Sequence, residues 1–582
     1  MIGTYAATAA ICVSALATGQ AAIALCGARR WSWLAPAVGL ALLCAVCWAT
    51  VRLPGDGTIS ALAVLVLTAA SLAFHRGRVE GGREALLPGA LVAVAGLVAA
   101  SLPFIAEGHF GILGTGFDPD MSQHLLTADR LAHGQGSQLL TQGYPLGPHS
   151  LVVALNKGLG VGLVQGFDGL SVAVAILAPL TALAAFEEKG TLWRAAGALV
   201  VGLTYMLASY YAQGAFKEAI QAFLVLAFVL ALREAGRNPE WRGRALRFVP
   251  AALIAVGSVY VYSYPGLVWL AAAAVVWLVA ERLLGDPPAF GDGVLRAGLL
   301  ALGVLAVLVA PEIGRMVEFH NFETFDPNGP GLGNLFGRIW PLEAFGIWPS
   351  GDFRLEPGAG AVPAFGYYLG AGFATVMLAY GAYLCWRRRE LALLSGLAAV
   401  AGLFAIAHFG GTPYTEAKSI AIAAPVCAVV ILVPLLRRPA GVLYMAVAGL
   451  CALLAFANAP VGPTEYSPAL TEMRPIVADD STLILAAPKL LEEEQGERYV
   501  VWELRGGRVC VEAANPAGKG GSTKPPRGVR FVVTEGGEEP FTGLRIRKEA
   551  APYTLWETIA PPRGKSDCPL IAVRQARQGP AE

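Results

Sequence analysis

The chain has 582 residues, 55% of them hydrophobic and only 15% charged, with a mean hydropathy of +0.56. Soluble domains carry about 25% charged residues, so the composition excludes a soluble globular protein and indicates a multi-spanning membrane protein. A formal charge of +1 excludes the basic face that a nucleic-acid partner would need.

A membrane span needs about 20 apolar residues. Candidates in chain order are Gly3–Cys26, Ser32–Leu53, Gly57–Phe74, Ala85–Ile105, Pro145–Val164, Leu170–Phe186, Ala195–Tyr211 and Ile220–Leu232. Phe248–Tyr262, Gly266–Ala280, Leu295–Val309, Pro363–Cys385, Leu391–His408, Ile420–Leu436 and Gly441–Ala459 follow. Met1 leads into the first run with no basic segment before it, which predicts a retained span rather than a cleaved signal peptide. Arginines gather in alternate loops, at Arg29-Arg30, Arg76 to Arg83, Arg233 to Arg247, Arg282, Arg387 to Arg389 and Arg437-Arg438. The positive-inside rule places these in the cytoplasm. Loops 106–144 and 316–362 then lie outside, as does the C-terminal tail. Two apolar runs separate the first outer loop from the cytoplasmic 187–194, where an odd number is required. Pro145–Val164 carries His149, Asn156 and Lys157 and is therefore predicted to be partial or re-entrant. The expected fold is an all-α polytopic bundle of about fourteen spans with both ends outside. Residues 1–84 supply additional helices, 85–460 the main membrane module, and 461–582 a small extracytoplasmic α/β or β domain. Its expected strands are Thr482–Ala486, Tyr499–Leu504, Val529–Thr534 and Tyr553–Ile559.

Seven of the nine cysteines sit in or beside apolar runs and read as small hydrophobes, including Cys44 and Cys47 with their C-x-x-C spacing. Cys510 and Cys568 fall in the polar tail and would pair as a disulfide if that tail lies outside the cytosol.

The polar stretch from Gly116 to His149 interrupts the apolar runs. Asp118 and Asp120 flank Pro119, and His124 follows Asp120 at i+4, on the same face of a helix starting near Pro119. Carboxylates at a membrane boundary mark a site, although Asp-Pro-Asp also suits a turn and helix N-cap. Glu218 follows Lys217 at the start of another span, and Tyr414, Glu416 and Lys418 share a short outer turn before Ile420. Lys418 is placed either to meet a lipid phosphate or to snorkel. His149 opens the segment after Pro148 as a candidate phosphate contact, and Asp129–Arg130 reads as a local ion pair. Tyr260, Tyr262 and Tyr264 read as an aromatic belt. The aromatic loop 316–362 suits sugar stacking and interface anchoring equally.

An apolar span leading to an outer loop with Asp118-Pro119-Asp120, then Tyr144-Pro145-Leu146-Gly147, resembles the GT-C class of integral-membrane glycosyltransferases. Glu218 matches that class's second acidic position, and the general look is nearest to the lipid-linked arabinosyl- and mannosyltransferases of actinobacteria. The resemblance spans roughly Ala85 to Ala459. It implies transfer of a hexosyl or pentosyl unit from a polyprenyl-phosphate donor to a glycan, lipid or protein acceptor outside the membrane, in cell-wall or surface-glycan assembly. By the same analogy Asp118 is the general base, with Asp120 and Glu218 holding the acceptor, orienting the base or binding a divalent cation (Mg or Mn at Asp118 and Asp120). His124, His149, Lys217, Tyr414 and Lys418 are then the substrate- and donor-binding candidates. The competing expectation is a transporter or flippase for a lipid-linked saccharide, since membrane carboxylates also relay protons and bind ions. The acids lie in outer loops and no repeat joins the two halves, which favours the enzyme.

Overall fold

The structure is a computed structural model. It describes residues 1–28, 30–75, 79–118, 120–134, 138–237, 244–285, 292–321, 335, 339–465, 467–478, 480–486, 499, 501–506, 508–513 and 528–559. Four helices open the chain: α1 (Ile2–Leu25), α2 (Ala35–Val51), α3 (Thr58–His75) and α4 (Gly82–Glu107). The first large loop carries α5 (Asp120–Ala132) and α6 (Gln138–Thr141), and leads into α7 (Gly147–Leu159) and α8 (Leu163–Ala182). Next come α9 (Thr191–Gly202), α10 (Tyr205–Ala212), α11 (Phe216–Arg237), α12 (Val249–Leu284), α13 (Asp292–Val309) and α14 (Ile313–His320). The second half holds α15 (Ala364–Arg387), α16 (Leu391–Gly410), α17 (Pro413–Leu435) and α18 (Pro439–Ala457), with α19 (Pro468–Val477) opening the tail.

Eleven of these helices are long and apolar enough to cross a membrane. α9 and α10 make one further span, bent by 52°. α2 is shorter but wholly apolar and is wedged against α1 and α12. α12 is a hairpin and crosses twice. Ser263 adopts φ 60° and ψ −157°, breaking the helix beside Pro265, and the two arms fold back so that Phe248 meets Trp277 with ring centroids 5.7 Å apart. Gly266 lets the arms touch: a Cβ there would lie 2.3 Å from the Ser258 hydroxyl. Length and composition thus give eleven spans among the described residues, or twelve with the bent pair, against about fourteen expected; the short α2 and the second arm of α12 are the two runs that make the difference.

α7 is the re-entrant element. Its first residue packs under Tyr260 and Cys44, Val153 reaches the Gly57 turn between α2 and α3, and α8 then starts beside Gly3. α7 thus begins inside the bundle, level with the middle of α2, and ends on the face bearing the large loops, here called the loop face. α8 starts at Leu163, earlier than the expected Leu170, because Gly162 and Gln165 cap it.

Burial follows composition. The middle turns of α8, α11 and α17 are apolar all round and form the centre of the bundle, whereas α3, α13 and α15 expose leucines, valines and aromatics around the rim. α5 is amphipathic. Met121, Leu125, Ala128 and Ala132 face inward, so the helix lies along the loop face rather than crossing.

Beyond α18, a mixed sheet has strand order β2-β1-β3-β5-β4, with β1 (Ser481–Ala486), β2 (Arg508–Ala513), β3 (Phe531–Glu535), β4 (Leu544–Ala550) and β5 (Tyr553–Thr558). β1 runs parallel to β2 and β3, while β5 is antiparallel to β3 and β4. Alternation along β3 sends Phe531 and Val533 to a core with Leu470 and Met473 of α19, and Val532 to the opposite face with Trp556. The expected strand at Tyr499–Leu504 is instead a helical turn over its described residues, with Trp502 buried against the membrane bundle. The Cys510–Cys568 pairing lies outside the described residues, since Cys568 and the Cys510 side chain are not among them.

The tail is tied to the first loop. Residues 460–464 pair with residues 110–114: Gly462 donates to the Ile112 carbonyl at 2.8 Å, while Ile112 donates to Gly462 at 3.1 Å and Gly114 to Pro460 at 2.9 Å. Leu126 of α5 packs on the tail's own core, and Arg505 lies 3.9 Å from Asp129.

Candidate active site at the loop face

The ribbon at 110–114 ends where the first acid begins. Asp118 donates its amide to the Gly114 carbonyl at 3.0 Å and accepts the Asp120 amide on Oδ1 at 2.9 Å. Gly114 sits at φ +84° against the backbone of Gln213 and Gly214, an approach that a side chain would block. Asp118 is therefore both the buried lead-in to α5 and a carboxylate fixed in direction.

α11 and α17 bring the other groups from across the bundle. Lys418 Nζ lies 3.0 Å from Glu218 Oε1 and 4.1 Å from the centre of the Tyr414 ring. Lys217 Nζ sits 3.9 Å over the Tyr144 ring. The Tyr262 hydroxyl donates to Glu218 Oε1 at 3.4 Å, and its ring lies 6.0 Å from each lysine nitrogen. Asp118 and Asp120 are within electrostatic reach of Lys217, and Asp120 of Lys418 as well. Two acids from the first loop, one from α11 and two lysines thus converge with four tyrosines (Tyr144, Tyr210, Tyr262 and Tyr414).

The histidines meet each other. His124 Nδ1 lies 3.0 Å from His149 Nε2, and the pair is packed edge-on against Phe216 and Phe167, behind Lys217. The shared helical face with Asp120 does not draw His124 toward the acids, because that ring nitrogen is committed to His149.

Three other expectations are corrected by the packing. Glu416 does not join Lys418; it accepts from His408 of α16 at 2.7 Å, since position i+2 faces the other side of α17. Tyr262 is not a belt residue but is buried in the site, while Tyr260 donates to Leu308 at 2.8 Å. Asp129 faces His133 at 3.6 Å and Arg505 at 3.9 Å in addition to neighbouring Arg130. Burial raises its carboxyl above the usual range, against the pull of those cations.

Arg315 positions the loop. It donates to the carbonyls of Leu140 at 3.0 Å and Tyr144 at 2.7 Å, with Glu312 and the Trp48 ring behind it. Tyr144 is thereby held where its ring can carry Lys217. Arg354 covers Phe117 at 3.8 Å while its guanidinium is clamped by Asp352. Sequence reasoning missed Tyr262 and Tyr210 as members of the cluster.

Among the described residues no three His, Cys, Asp or Glu side chains gather as a metal site. Asp118 and Asp120 alone do not complete a coordination sphere, one Asp118 oxygen already receives an amide, and the fixed cations here are lysines.

The fold and site define a polytopic helical membrane protein with a buried carboxylate–lysine cluster at one membrane boundary. No family model and no curated protein matches the sequence. Among solved structures, the chain is similar to ArnT from Cupriavidus metallidurans bound to undecaprenyl phosphate. That match has 13% identity and a TM-score of 0.46, and covers 82% of this chain and 98% of that one. It is also similar to the archaeal oligosaccharyltransferase AglB from Archaeoglobus fulgidus in complex with an inhibitory peptide and a dolichol-phosphate. There the identity is 14% and the TM-score 0.36, with 77% of this chain and 69% of that one covered.

Proposed function

We propose that the chain is a GT-C-type membrane glycosyltransferase that moves a sugar from a polyprenyl-phosphate donor to an acceptor on the loop face, with residues 85–460 as its catalytic module. One observation carries the reading: two lysines stand at the membrane boundary, each with its nitrogen 6.0 Å from the Tyr262 ring, next to acids held by a rigid turn. Lys418 is ion-paired, whereas Lys217 rests on an aromatic face. A lipid phosphate entering from the bilayer edge meets that positive charge at low dielectric, where it is worth most.

In the reaction the acceptor hydroxyl gives its proton to the Asp118 carboxylate as its oxygen bonds to the anomeric carbon. The bond from that carbon to the phosphate oxygen breaks, and the polyprenyl phosphate leaves with the electron pair. Lys217 and Lys418 stabilise the charge that grows on it, Glu218 holds Lys418 in place, and Asp120 orients the acceptor.

The test is transfer of radiolabelled sugar from a polyprenyl-phosphate donor in membranes, wild type against Asp118→Asn. The variant is expected to insert normally and lose roughly two or more orders of magnitude of transfer, as loss of a general base implies. Undiminished transfer would remove Asp118 from this role.

A further inference from the structure

Gln221 is a fully buried amide inside the span α11, one turn deeper than Glu218. It serves both arms of the α12 hairpin at once. Its Nε2 donates to the Gly266 carbonyl on the outgoing arm at 3.2 Å, and its Oε1 accepts the Ser258 hydroxyl of the incoming arm at 2.8 Å. Ser258 is fully buried as well. An amide in hydrocarbon is tolerated where its donor and acceptor are both used, and here that requires the two arms to stand side by side.

The hairpin needs such a clasp. Ser263, at φ 60° and ψ −157°, occupies a region that glycine alone enters freely, and a residue stays there only where its surroundings over-determine it. Pro265 brings no amide proton to the turn. Gln221 supplies the missing constraint by pinning the chain on either side of the break.

What the clasp fixes is Tyr262, the residue before the break. Its hydroxyl donates to Glu218 Oε1 at 3.4 Å, the same oxygen that takes Lys418 Nζ at 3.0 Å, and its ring centre lies 6.0 Å from each of the two lysine nitrogens. Both kinds of contact are long, since an O–H···O bond is ordinarily about 2.7 Å and cation–π attraction reaches to about 6 Å. Contacts of that length do not hold a side chain in place, so the backbone beneath it must. Glu218 and Gln221 share one face of α11 at i and i+3, which puts the clasp and the contact it sets on a single stripe of one helix.

We propose that Gln221 is a positioning residue for the transfer reaction: by clasping the hairpin it keeps Tyr262 over the Glu218–Lys418 pair and so keeps Lys418 aimed at the leaving phosphate. This rests on the glycosyltransferase reading above. Lys418 acts most on the charge that grows as the phosphate leaves, so loss of the clasp lowers kcat more than it weakens donor binding.

The experiment uses the full chain in lipid nanodiscs and two readouts. One is steady-state sugar transfer from a polyprenyl-phosphate donor. The other is NMR of the chain labelled at its tyrosine ring carbons, in which the Tyr262 resonance is the one lost in Tyr262→Phe. Gln221→Met is expected to lower kcat about tenfold, the scale of a slightly misplaced group, to leave the donor KM within about a factor of two, and to move the Tyr262 resonance. Added to Lys418→Met or to Y262F, it should cost less than about a further factor of two, because its effect passes through those residues. Combining Q221M with Ser258→Ala leaves no buried hydroxyl seeking a partner and should give the same pattern if Q221M alone folds poorly. A tenfold loss that multiplies with K418M, an unchanged kcat, or an unmoved Tyr262 resonance would overturn the proposal and leave Gln221 a packing residue. Wild type that transfers from no lipid-linked sugar would overturn the glycosyltransferase reading instead, and the Tyr262 resonance in Q221M would still decide the clasp.

Discussion

Helix α11 carries buried charge at both ends, and the two ends are built differently. At the arginine face, Arg233 grips Glu390 with two bonds, of 2.8 and 3.0 Å, and Arg237 adds a contact to the same carboxylate. Both arginines of α11 thus share one carboxylate at the start of α16. At the loop face, Glu218 meets one lysine across the bundle while a second lysine, its own neighbour in sequence, rests on a tyrosine ring. The first end is a closed lock between helices. The second mixes two lysines with three carboxylates, Glu218, Asp118 and Asp120, and among the described residues Lys217 makes no ion pair.

That contrast is open to direct attack. The largest effect is expected from Lys418→Met, which should lower sugar transfer by about 10²–10³-fold, the scale of losing one preorganised transition-state contact; transfer within a factor of two of wild type would assign Lys418 to packing. Glu390→Ala at the other end should leave two arginines facing each other and cost about 3–5 kcal/mol of stability. It would be read from thermal unfolding in detergent, with donor affinity retained by the folded fraction; an unchanged melting temperature would contradict the lock.

The double variant Glu218→Gln with Lys418→Met sharpens the difference. Replacing both partners of a buried pair is often neutral for stability, so melting should return to within about 1 kcal/mol of wild type while transfer stays lost. Recovery of transfer would mean the pair is purely structural. The smallest effect is expected from Arg315→Ala. It releases the Leu140 and Tyr144 carbonyls and should reduce kcat by about tenfold, with little change in apparent donor affinity, as slight misplacement of a positioned group does. A fall in donor affinity at constant kcat would place Arg315 in binding instead.

Much of this architecture was legible in the sequence because hydrocarbon admits few solutions for a backbone. Apolar length gave the spans, Pro265 separated the two arms of α12, and the polar His149, Asn156 and Lys157 marked α7 as re-entrant. Asp118, Asp120, Glu218, Lys217 and Lys418 stood out as charges beside apolar runs, and the fold does bring them together. What escaped was direction. Glu416 is two residues from Lys418, yet a helix turns about 200° over that interval and hands it to His408. Tyr262 reads as a belt tyrosine until the Ser263 break shows that the hairpin tip leans into the site. Strands β2 and β4 carry too little alternation to announce themselves.

The short ribbon joining residues 110–114 to 460–464 links two parts of the protein that its linear order keeps more than three hundred positions apart. Cutting the chain after Ala459 would strip the amides of Ile112 and Gly114 of their acceptors and slacken the turn that aims Asp118. The sheet beyond the membrane is thus no detachable passenger. Only four residues of backbone separate the ribbon at Gly114 from Asp118.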